Sequence, residues 1–273
     1  MVDSLSKRFR VLTGTVALAL GSMTASAVSW QEALEGTHRS PESVARDQYR
    51  HPVQTLRFFD VLPEHDVVEI SPGTGWYTEI LAPYIEGDFY AAHFPENSGV
   101  EYFDRLRSEY EARLAKDPDI FGNVQIVVFD PTTGALELED ESVDRVLSFR
   151  NVHTWLRFDS EEAAFASFYR VLRPGGLLGI VQHRSRQLID RDQMVETGYV
   201  VQDAVIEAAQ AAGFEFVAAS EVNANFRDSA NHPEGVWTLP PSLRLGDKDR
   251  SRYLSIGESD RMTLKFRKPV STE

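Results

Sequence analysis

The chain has 273 residues, of which 42% are hydrophobic and 26% charged, so it is long enough for one large folded domain or two small ones and is not disordered by composition. Its net charge of −14 repels phosphate backbones, which excludes nucleic acid as an expected partner. It contains no cysteine, which excludes disulfides, thiolate nucleophiles and cysteine-based metal sites.

Residues 1–27 have the pattern of a secretory signal peptide. Lys7, Arg8 and Arg10 form a basic start, residues 11–21 are apolar, and Ala25-Ser26-Ala27 has the small residues of a cleavage site. The apolar stretch is roughly half of the ~20 residues that cross a membrane, so we expect no stable membrane insertion after cleavage. The pattern predicts an exported, periplasmic protein cleaved after Ala27, with an uncleaved anchor or an organellar transit peptide as the alternatives.

A helical lead-in is predicted over residues 28–62. Helices are expected at 29–35 and 41–62, and Ser40 followed by Pro41 is typical of a helix start. Pro63 ends this segment. The chain is therefore divided into a signal peptide (1–27), the lead-in (28–62) and one further domain (63–273).

From residue 66 onwards, predicted strands alternate with predicted helices. This pattern indicates right-handed crossovers and a mostly parallel sheet with helices on both faces. The third long helix is expected to end at Pro174-Gly175-Gly176. Seven strands are predicted, at 67–70, 88–92, 124–129, 145–149, 177–182, 214–218 and 262–266, and the main helices at 76–85, 100–115, 161–172 and 202–212.

A polar segment, residues 223–259, separates the last two predicted strands. Long loops in compact domains are often functional, so we expect this insertion to form part of a lid over a binding site. The alternative is a mobile surface loop. Its most chemically capable side chains are Arg227, Asp228, Asn231 and His232.

A glycine-bearing turn, Ser71-Pro72-Gly73-Thr74-Gly75, follows the first predicted strand. In open parallel sheets, ligands bind beyond the carboxyl ends of the strands, where this turn is expected to lie. The nicotinamide dinucleotide motif requires glycine where Thr78 stands, and the Gly-Lys-Ser/Thr of an ATP-binding loop is absent. Taken alone, the turn is equally compatible with a purely structural role.

The surrounding sequence resembles the class I methyltransferases that depend on S-adenosylmethionine (SAM). Residues 67–75, VVEISPGTG, resemble their first motif, in which an acidic residue closes the first strand and a glycine-rich turn follows. DRVLSF and YRVLRPGGLLGIVQH resemble their fourth strand and the segment leading into the fifth, so the likeness covers about residues 60–185. A closer likeness, over residues 40–269, is to a subgroup of predicted exported bacterial methyltransferases.

This resemblance implies a Rossmann-like seven-stranded sheet and SAM as cofactor. Two departures from the family stand in the expected site: Ser71 replaces a glycine, and His93 replaces the acidic residue that holds the ribose hydroxyls. A neutral histidine accepts only one hydrogen bond there, and Glu96 is an alternative ribose ligand. The cofactor-binding residues implied are Glu69, Ser71, Gly73, Gly75, Tyr77, His93, Asp130 (at the adenine) and Arg150.

The predicted catalytic residues follow the fourth and fifth strands. His153 is the first candidate for a general base because the pKa of histidine lies near neutrality, and His183 and Asn151 are expected beside it. The alternative for His153 is a cap of the helix that begins near Thr154. No paired ligand spacing supports a metal site.

Aromatic side chains immediately after the turn have two interpretations. Trp76 and Tyr77 suit a sulfonium cation, which is attracted to aromatic faces, but they equally suit packing of the next helix on the sheet. The two interpretations place the same rings differently, one facing a ligand and the other facing the core.

The leading functional interpretation is a SAM-dependent methyltransferase that acts on an unidentified small molecule or cell-envelope acceptor. Because SAM is made in the cytoplasm, export motivates an alternative, a non-catalytic periplasmic protein that binds SAM-like or nucleoside ligands. A third possibility is other chemistry on the same fold. The sequence predicts no oligomeric state.

Overall fold

A computed structural model describes residues 28–270, so the predicted signal peptide and its cleavage site lie outside the described residues. These residues form one eight-stranded sheet in the order β4-β3-β2-β1-β5-β6-β8-β7. The strands are β1 Val67–Ile70, β2 Phe89–His93, β3 Val124–Asp130, β4 Ala135–Leu136, β5 Val143–Phe149, β6 Leu172–His183, β7 Glu215–Ser220 and β8 Arg261–Arg267.

The sheet is mostly parallel, as predicted. Strands β3, β2, β1, β5 and β6 run parallel, whereas β8 is antiparallel to both β6 and β7. The chain order reverses at β1, which lies between β2 and β5, and this reversal opens a crevice at the carboxyl ends of these strands. The sheet has eight strands and not the predicted seven, because the two-residue β4 pairs with the end of β3.

Helices cover both faces of the sheet. One face carries Trp155, Phe165 and Phe168, and the other carries Trp30, Leu56 and further residues of the lead-in. Within residues 28–270 the helices are α1 Trp30–Glu35, α2 Pro41–Val44, α3 Asp47–Arg50, α4 Pro52–Phe58, α5 Thr78–Tyr84, α6 Glu101–Leu114, α7 Pro118–Phe121, α8 Val152–Arg157, α9 Glu161–Val171, α10 Arg191–Thr197, α11 Gln202–Ala211 and α12 Arg250–Ile256. None of the described helices has the length and apolar content needed to cross a bilayer.

The lead-in is helical, but its second part is not the single helix predicted over 41–62. The predicted start at Ser40 and Pro41 is confirmed, since the Ser40 side chain accepts a hydrogen bond from the third residue of the helix. The chain breaks at His51 (φ 41°), because the residue before a proline is disfavoured in helical geometry. Phe59, just after α4, packs against the backbone of Gly179 in β6 and is fully buried.

Pro174-Gly175-Gly176 lies inside β6 and does not end the preceding helix as predicted. The helix α9 already stops at Val171, and Leu172 is extended and pairs with Val143. The register between β5 and β6 shifts after this pair, so the proline and glycines form an irregularity at the start of the strand.

The insertion connects β7 to β8, as predicted. It contains a short 3₁₀ helix, Gly235–Thr238, and the helix α12. Its backbone is tied to the sheet, for example by the Asp228 carboxylate, which accepts a hydrogen bond from the Asp260 amide at 2.7 Å. These contacts place the 3₁₀ helix and the residues after α12 at the carboxyl edge of the sheet.

Candidate functional site

A cavity of about 750 Å³ lies at the carboxyl ends of β1, β5 and β6, beneath the insertion. The sequence-predicted residues that line it are Glu69, Ser71, Gly73, Tyr77, Arg150, Asn151, His153 and His183. Gly75, His93 and Asp130 were also predicted to bind cofactor, but they do not line this cavity. The structure thus brings eight of the predicted residues together at the cavity, whereas Gly75, His93 and Asp130 lie in other surroundings.

The end of β1 offers polar groups that are free to bind a ligand. The Glu69 side chain is buried, accepts a hydrogen bond from the Thr78 hydroxyl at 2.7 Å, and has its pKa raised by burial to about 7. The Ser71 Oγ is buried and has no partner among the described residues. At Gly73 (φ +64°) a Cβ would meet no atom within 4 Å, so the chain passes the cavity with open space beside it. This edge fits a polar ligand that approaches the backbone closely.

Gly75 is required by packing. Its φ is +86°, and a Cβ there would lie 3.0 Å from the Tyr110 ring. Tyr110 is fully buried, with its hydroxyl 3.2 Å from the Thr78 hydroxyl. Gly75 therefore allows α6 to pack against the turn, and this contact shapes the wall behind the cavity.

The structure does not support the predicted ribose contact of His93. The ring is fully buried, its Nε2 lies 2.9 Å from the Gly73 carbonyl oxygen, and its Nδ1 accepts a hydrogen bond from the Phe94 amide. Because Nδ1 accepts, Nε2 carries the proton and donates to Gly73, so both ring nitrogens are engaged. Burial lowers the pKa of His93 to about 4. His93 ties the glycine turn to β2 and leaves no nitrogen for a ligand.

Asp130 lines a separate hollow of about 330 Å³ together with Glu96 and Arg107. One Asp130 oxygen accepts hydrogen bonds from the Thr132 amide and hydroxyl. Phe94, which lines the main cavity, precedes the Pro95 and Glu96 of this hollow in the chain. The predicted adenine contact is therefore next to the main cavity and not inside it.

The two aromatic residues after the turn are packed, as the structural alternative predicted, and they also line the cavity. Tyr77 stacks on Phe149 with ring centroids 3.5 Å apart. The Trp76 indole donates a hydrogen bond to the Ser43 carbonyl, and the Arg50 guanidinium lies 4.4 Å from its ring centroid. Their exposed fractions are only 6% and 5%, so they form a rigid apolar wall.

His153 and His183 are neighbours in the cavity lining, with ring centroids 5.8 Å apart. His153 lies inside α8 and does not cap it. Burial lowers the pKa of His153 to about 4. Burial, with the proximity of the His153 ring and of the Arg150 charge, lowers the pKa of His183 well below its ordinary value. Both rings are therefore neutral at neutral pH.

Gln182 determines which nitrogen of His153 carries the proton. Its oxygen accepts from the Val152 amide at 3.2 Å and its nitrogen donates to the Gly198 carbonyl at 3.1 Å, so the orientation of the amide is fixed. The same nitrogen lies 3.3 Å from the His153 Nδ1, which must accept. His153 then carries its proton on Nε2 and is a hydrogen-bond donor there. The His183 Nδ1 lies 2.5 Å from the Ser259 hydroxyl, and when this nitrogen donates, the His183 Nε2 is a free acceptor. His153 was the first sequence-based candidate for a base, and the structure places both histidines at the cavity.

Asn151 and Arg150 have different environments at the end of β5. The Asn151 amide donates to the Ile70 carbonyl at 2.8 Å and so joins the ends of β1 and β5. Arg150 adopts a left-handed backbone (φ 69°), and its guanidinium makes no hydrogen bond or ion pair within residues 28–270. Asn151 has a structural bond, whereas the Arg150 side chain is available to a ligand.

The insertion covers the cavity with residues other than those predicted. Asp228 is fully buried and accepts hydrogen bonds from the Tyr199 hydroxyl and the His232 ring, so it holds the insertion together. The four polar residues singled out from the sequence, Arg227, Asp228, Asn231 and His232, do not line the cavity. The insertion residues that do are Val236, Trp237, Pro240, Pro241, Ser242, Arg244, Glu258 and Ser259.

Sequence reasoning missed three charged cavity residues, Arg46, Arg50 and Glu258, and also Gln182, which contacts His153. Arg46 and Arg50 lie in the lead-in and Glu258 directly precedes β8, so no local motif connects them. In the structure, the Glu258 carboxylate lies 2.6 Å from Arg46 and 3.4 Å from Arg50. No cluster of three or more metal-ligating side chains occurs in the described part of the chain.

A comparison with protein families finds a methyltransferase domain in part of the chain. The family model described as "Methyltransferase domain" matches residues 68–180, from β1 into β6. No curated protein sequence matches the chain significantly. The structural comparison gives many significant matches among solved structures.

Three solved structures illustrate this likeness. The [4+2]-cyclase SpnF has a TM-score of 0.60 at 19% identity, covering 87% of this chain and 86% of its own. A SAM-dependent methyltransferase from Aquifex aeolicus has a TM-score of 0.55 at 14% identity, covering 88% and 99%. Geranyl diphosphate methyltransferase in complex with SAM has a TM-score of 0.54 at 13% identity, covering 89% and 96%. At these identities the likeness establishes the fold.

Proposed function

Because the chain has the class I methyltransferase fold, with a methyltransferase domain match over residues 68–180, we propose that it is a SAM-dependent methyltransferase acting on a small-molecule or cell-envelope acceptor. The observation that carries the proposal is the free end of β1 in the cavity. The unpaired Ser71 Oγ, the buried Glu69 carboxyl and the open space beside Gly73 lie together there.

These residues fit the donor. When bound, SAM supplies a methyl group activated by a positively charged sulfur. Ser71 and Glu69 offer hydrogen-bonding groups to its polar atoms, and the stacked Tyr77 and Phe149 rings present an apolar wall that excludes water. The protein's contribution is mainly to hold donor and acceptor in line.

A proton is removed from the acceptor where the acceptor atom carries one. We assign the base to His183: when its Nδ1 donates to the Ser259 hydroxyl, Nε2 of the neutral ring is unprotonated and can accept a proton. His153, held by Gln182 with its proton on Nε2, donates a hydrogen bond to the acceptor and so positions it. The two rings therefore have different roles although both face the same cavity.

Donor binding is tested by calorimetric titration with SAM and S-adenosylhomocysteine. Asparagine tolerates a left-handed backbone, so Gly73→Asn places a side chain in the cavity with little strain. We expect at least about tenfold weaker binding, as for the loss of about 1.4 kcal/mol of contacts. Gly246→Asn is the matched control, since Gly246 has φ +61°, no atom within 4 Å of a Cβ, and a position outside the cavity lining.

The possible results separate the candidate functions. If the wild-type protein binds neither ligand at millimolar concentration, the proposal is wrong. Binding without turnover of any acceptor favours the non-catalytic ligand-binding protein, and turnover of a bound substrate without methylation favours other chemistry on this fold. Methylation that His183→Asn abolishes while SAM binding persists supports the role of His183.

We also propose that residues 1–27 direct export to the periplasm and are removed after Ala27. The support is the order of basic, apolar and small residues in that segment. N-terminal sequencing of the exported protein should give a chain that begins at Val28. A start elsewhere, or retention of the full chain in the cytoplasm, contradicts this proposal.

A further inference from the structure

The cavity lining contains a group of arginines whose positive charge exceeds the negative charge of the carboxylate that contacts them. Arg46, Arg50 and Arg150 line the cavity, and Glu258 is the carboxylate that Arg46 and Arg50 share. Arg261 also contacts Glu258, at 3.3 Å. Three guanidinium groups thus contact a single carboxylate, and a fourth, that of Arg150, belongs to the same cavity lining.

The donors of these arginines are not equally satisfied. Arg261 donates to the carbonyls of Tyr49 at 2.7 Å and Ser259 at 3.2 Å in addition to its ion pair. By contrast, the Nη2 atoms of Arg46 and Arg50 are buried without a hydrogen-bond partner within residues 28–270. Arg50 is 1% exposed, so its unpaired donor cannot be satisfied by bulk water.

Arg150 has no partner for its guanidinium among the described residues, and its backbone amide is held by the Val181 carbonyl at 2.6 Å. Burial lowers the pKa of Arg150 to about 10, and the nearby charge of Arg46 adds to this effect. The Arg150 residue is partly exposed and lines the cavity, so a ligand bound there can reach its guanidinium. Its position is explained if a ligand supplies the partner.

The methyl donor does not reduce the net positive charge of the cavity. SAM carries a sulfonium, an ammonium and a carboxylate group, so its net charge is positive. Glu69 is the other carboxylate near Arg50, and with a pKa of about 7 it is only partly ionised at neutral pH. Even if Glu69 and Glu258 are both ionised, the four arginines outnumber them. An anionic ligand other than the donor fits this excess of positive charge.

We propose that Arg46, Arg50 and Arg150 form a subsite for an anionic group, a carboxylate or a phosphate, on the methyl acceptor. The assignment of the anion to the methyl acceptor rests on the proposed function, whereas the anion subsite itself does not. Guanidinium groups bind both anions through paired, charge-assisted hydrogen bonds. His153 and His183 line the same cavity, so an acceptor anchored by its anion has its reactive atom held beside them.

The subsite is tested with inorganic phosphate as the probe. Arg150→Gln removes one charge without leaving any protein group unpaired, so the fold is retained. Arg267→Gln, half-exposed and paired with Glu215 away from the cavity, is the matched control. Calorimetry of the protein saturated with S-adenosylhomocysteine should show phosphate binding that is at least about tenfold weaker in Arg150→Gln and changed less than about twofold in the control. No phosphate binding by the wild type, or equal binding by Arg150→Gln, overturns the proposal.

A second arm asks whether the anion belongs to the acceptor or to the donor. If it belongs to the acceptor, Arg150→Gln keeps the affinity for S-adenosylhomocysteine within about twofold, and phosphate binds the complex as it binds the free protein. If Arg150→Gln weakens S-adenosylhomocysteine but not 5′-methylthioadenosine, which lacks the carboxylate, and phosphate competes with the former, the arginines hold the donor and the proposal fails. If neither nucleoside binds, the proposed function fails, and phosphate titration of the free protein still decides the subsite.

Discussion

The charge balance around Glu258 can be tested by replacing it with glutamine. Glu258→Gln keeps the size of the side chain and one acceptor oxygen, but it removes the negative charge from between Arg46, Arg50 and Arg261. The side chain of Glu258 is 4% exposed, so water cannot replace the carboxylate. We therefore expect the variant to fold with a clear loss of stability.

The size of the expected stability loss follows from the pKa of Glu258. Burial alone would raise this pKa, but Arg50, Arg261 and Arg46 outweigh burial and lower it from 4.5 to about 2. At about 1.4 kcal/mol per pKa unit, the ionised form stabilises the folded protein by about 3 kcal/mol at neutral pH. Since the pKa is lowered in the folded state, this contribution is complete well above pH 4.5 and is lost as the pH falls from 4.5 towards 2.

Urea unfolding at pH 7.5 and pH 4 provides the assay. We expect Glu258→Gln to lower the free energy of unfolding by about 3 kcal/mol at pH 7.5, and this difference from the wild type to shrink by about 1 kcal/mol at pH 4. Glu215→Gln removes the carboxylate of a half-exposed pair with Arg267 and should cost less than about 1 kcal/mol. A loss for Glu258→Gln no larger than this control, or a gain in stability, would refute the reasoning.

Two further predictions concern the glycine turn. Gly75→Ala places a Cβ 3.0 Å from the Tyr110 ring at φ +86°, so it should lower the free energy of unfolding by about 2 kcal/mol or more. The control Gly246→Ala, which has open space around it, should lower it by only about 1 kcal/mol through backbone strain. Equal losses of the two variants in urea unfolding would show that the contact with Tyr110 is relieved at little cost. His93 has a pKa lowered by burial to about 4, so its contribution is complete above pH 6.5 and about 2 kcal/mol of it is lost by pH 5. His93→Asn should lack this part of the pH dependence when unfolding is measured at pH 7.5 and 5, and parallel profiles of the two proteins would contradict the assignment.

Much of the fold was predictable because it depends on local patterns. Short apolar strands that alternate with helices indicate a parallel sheet, and Ser40-Pro41 indicates a helix start, both of which the structure confirms. The break at His51-Pro52 also has a local cause, the restriction that proline places on the residue before it. The two-residue β4 has no such signal, because its pairing with β3 depends on the neighbouring strand.

Residues of the site were predictable only where a polar side chain lies at the end of a predicted strand. Glu69 and His183 lie at strand ends that the sequence identifies, and the structure places both at the cavity. The engagement of His93 with the Gly73 carbonyl depends on the packing of β2 beside β1. The partnership of Arg46 with Glu258 joins residues 212 positions apart, which no spacing rule detects.

That long-range partnership has a consequence for how the molecule is built. Arg46 meets Glu258, and the Tyr49 carbonyl meets Arg261, across 212 residues in each case. Closing so long a loop carries a large entropic cost and waits until the intervening strands have docked. During synthesis on the ribosome, a nascent chain that has emerged only as far as β7 holds its arginines without their carboxylate. The arginine wall of the cavity is therefore completed only after Glu258 and Arg261 have been added to the chain.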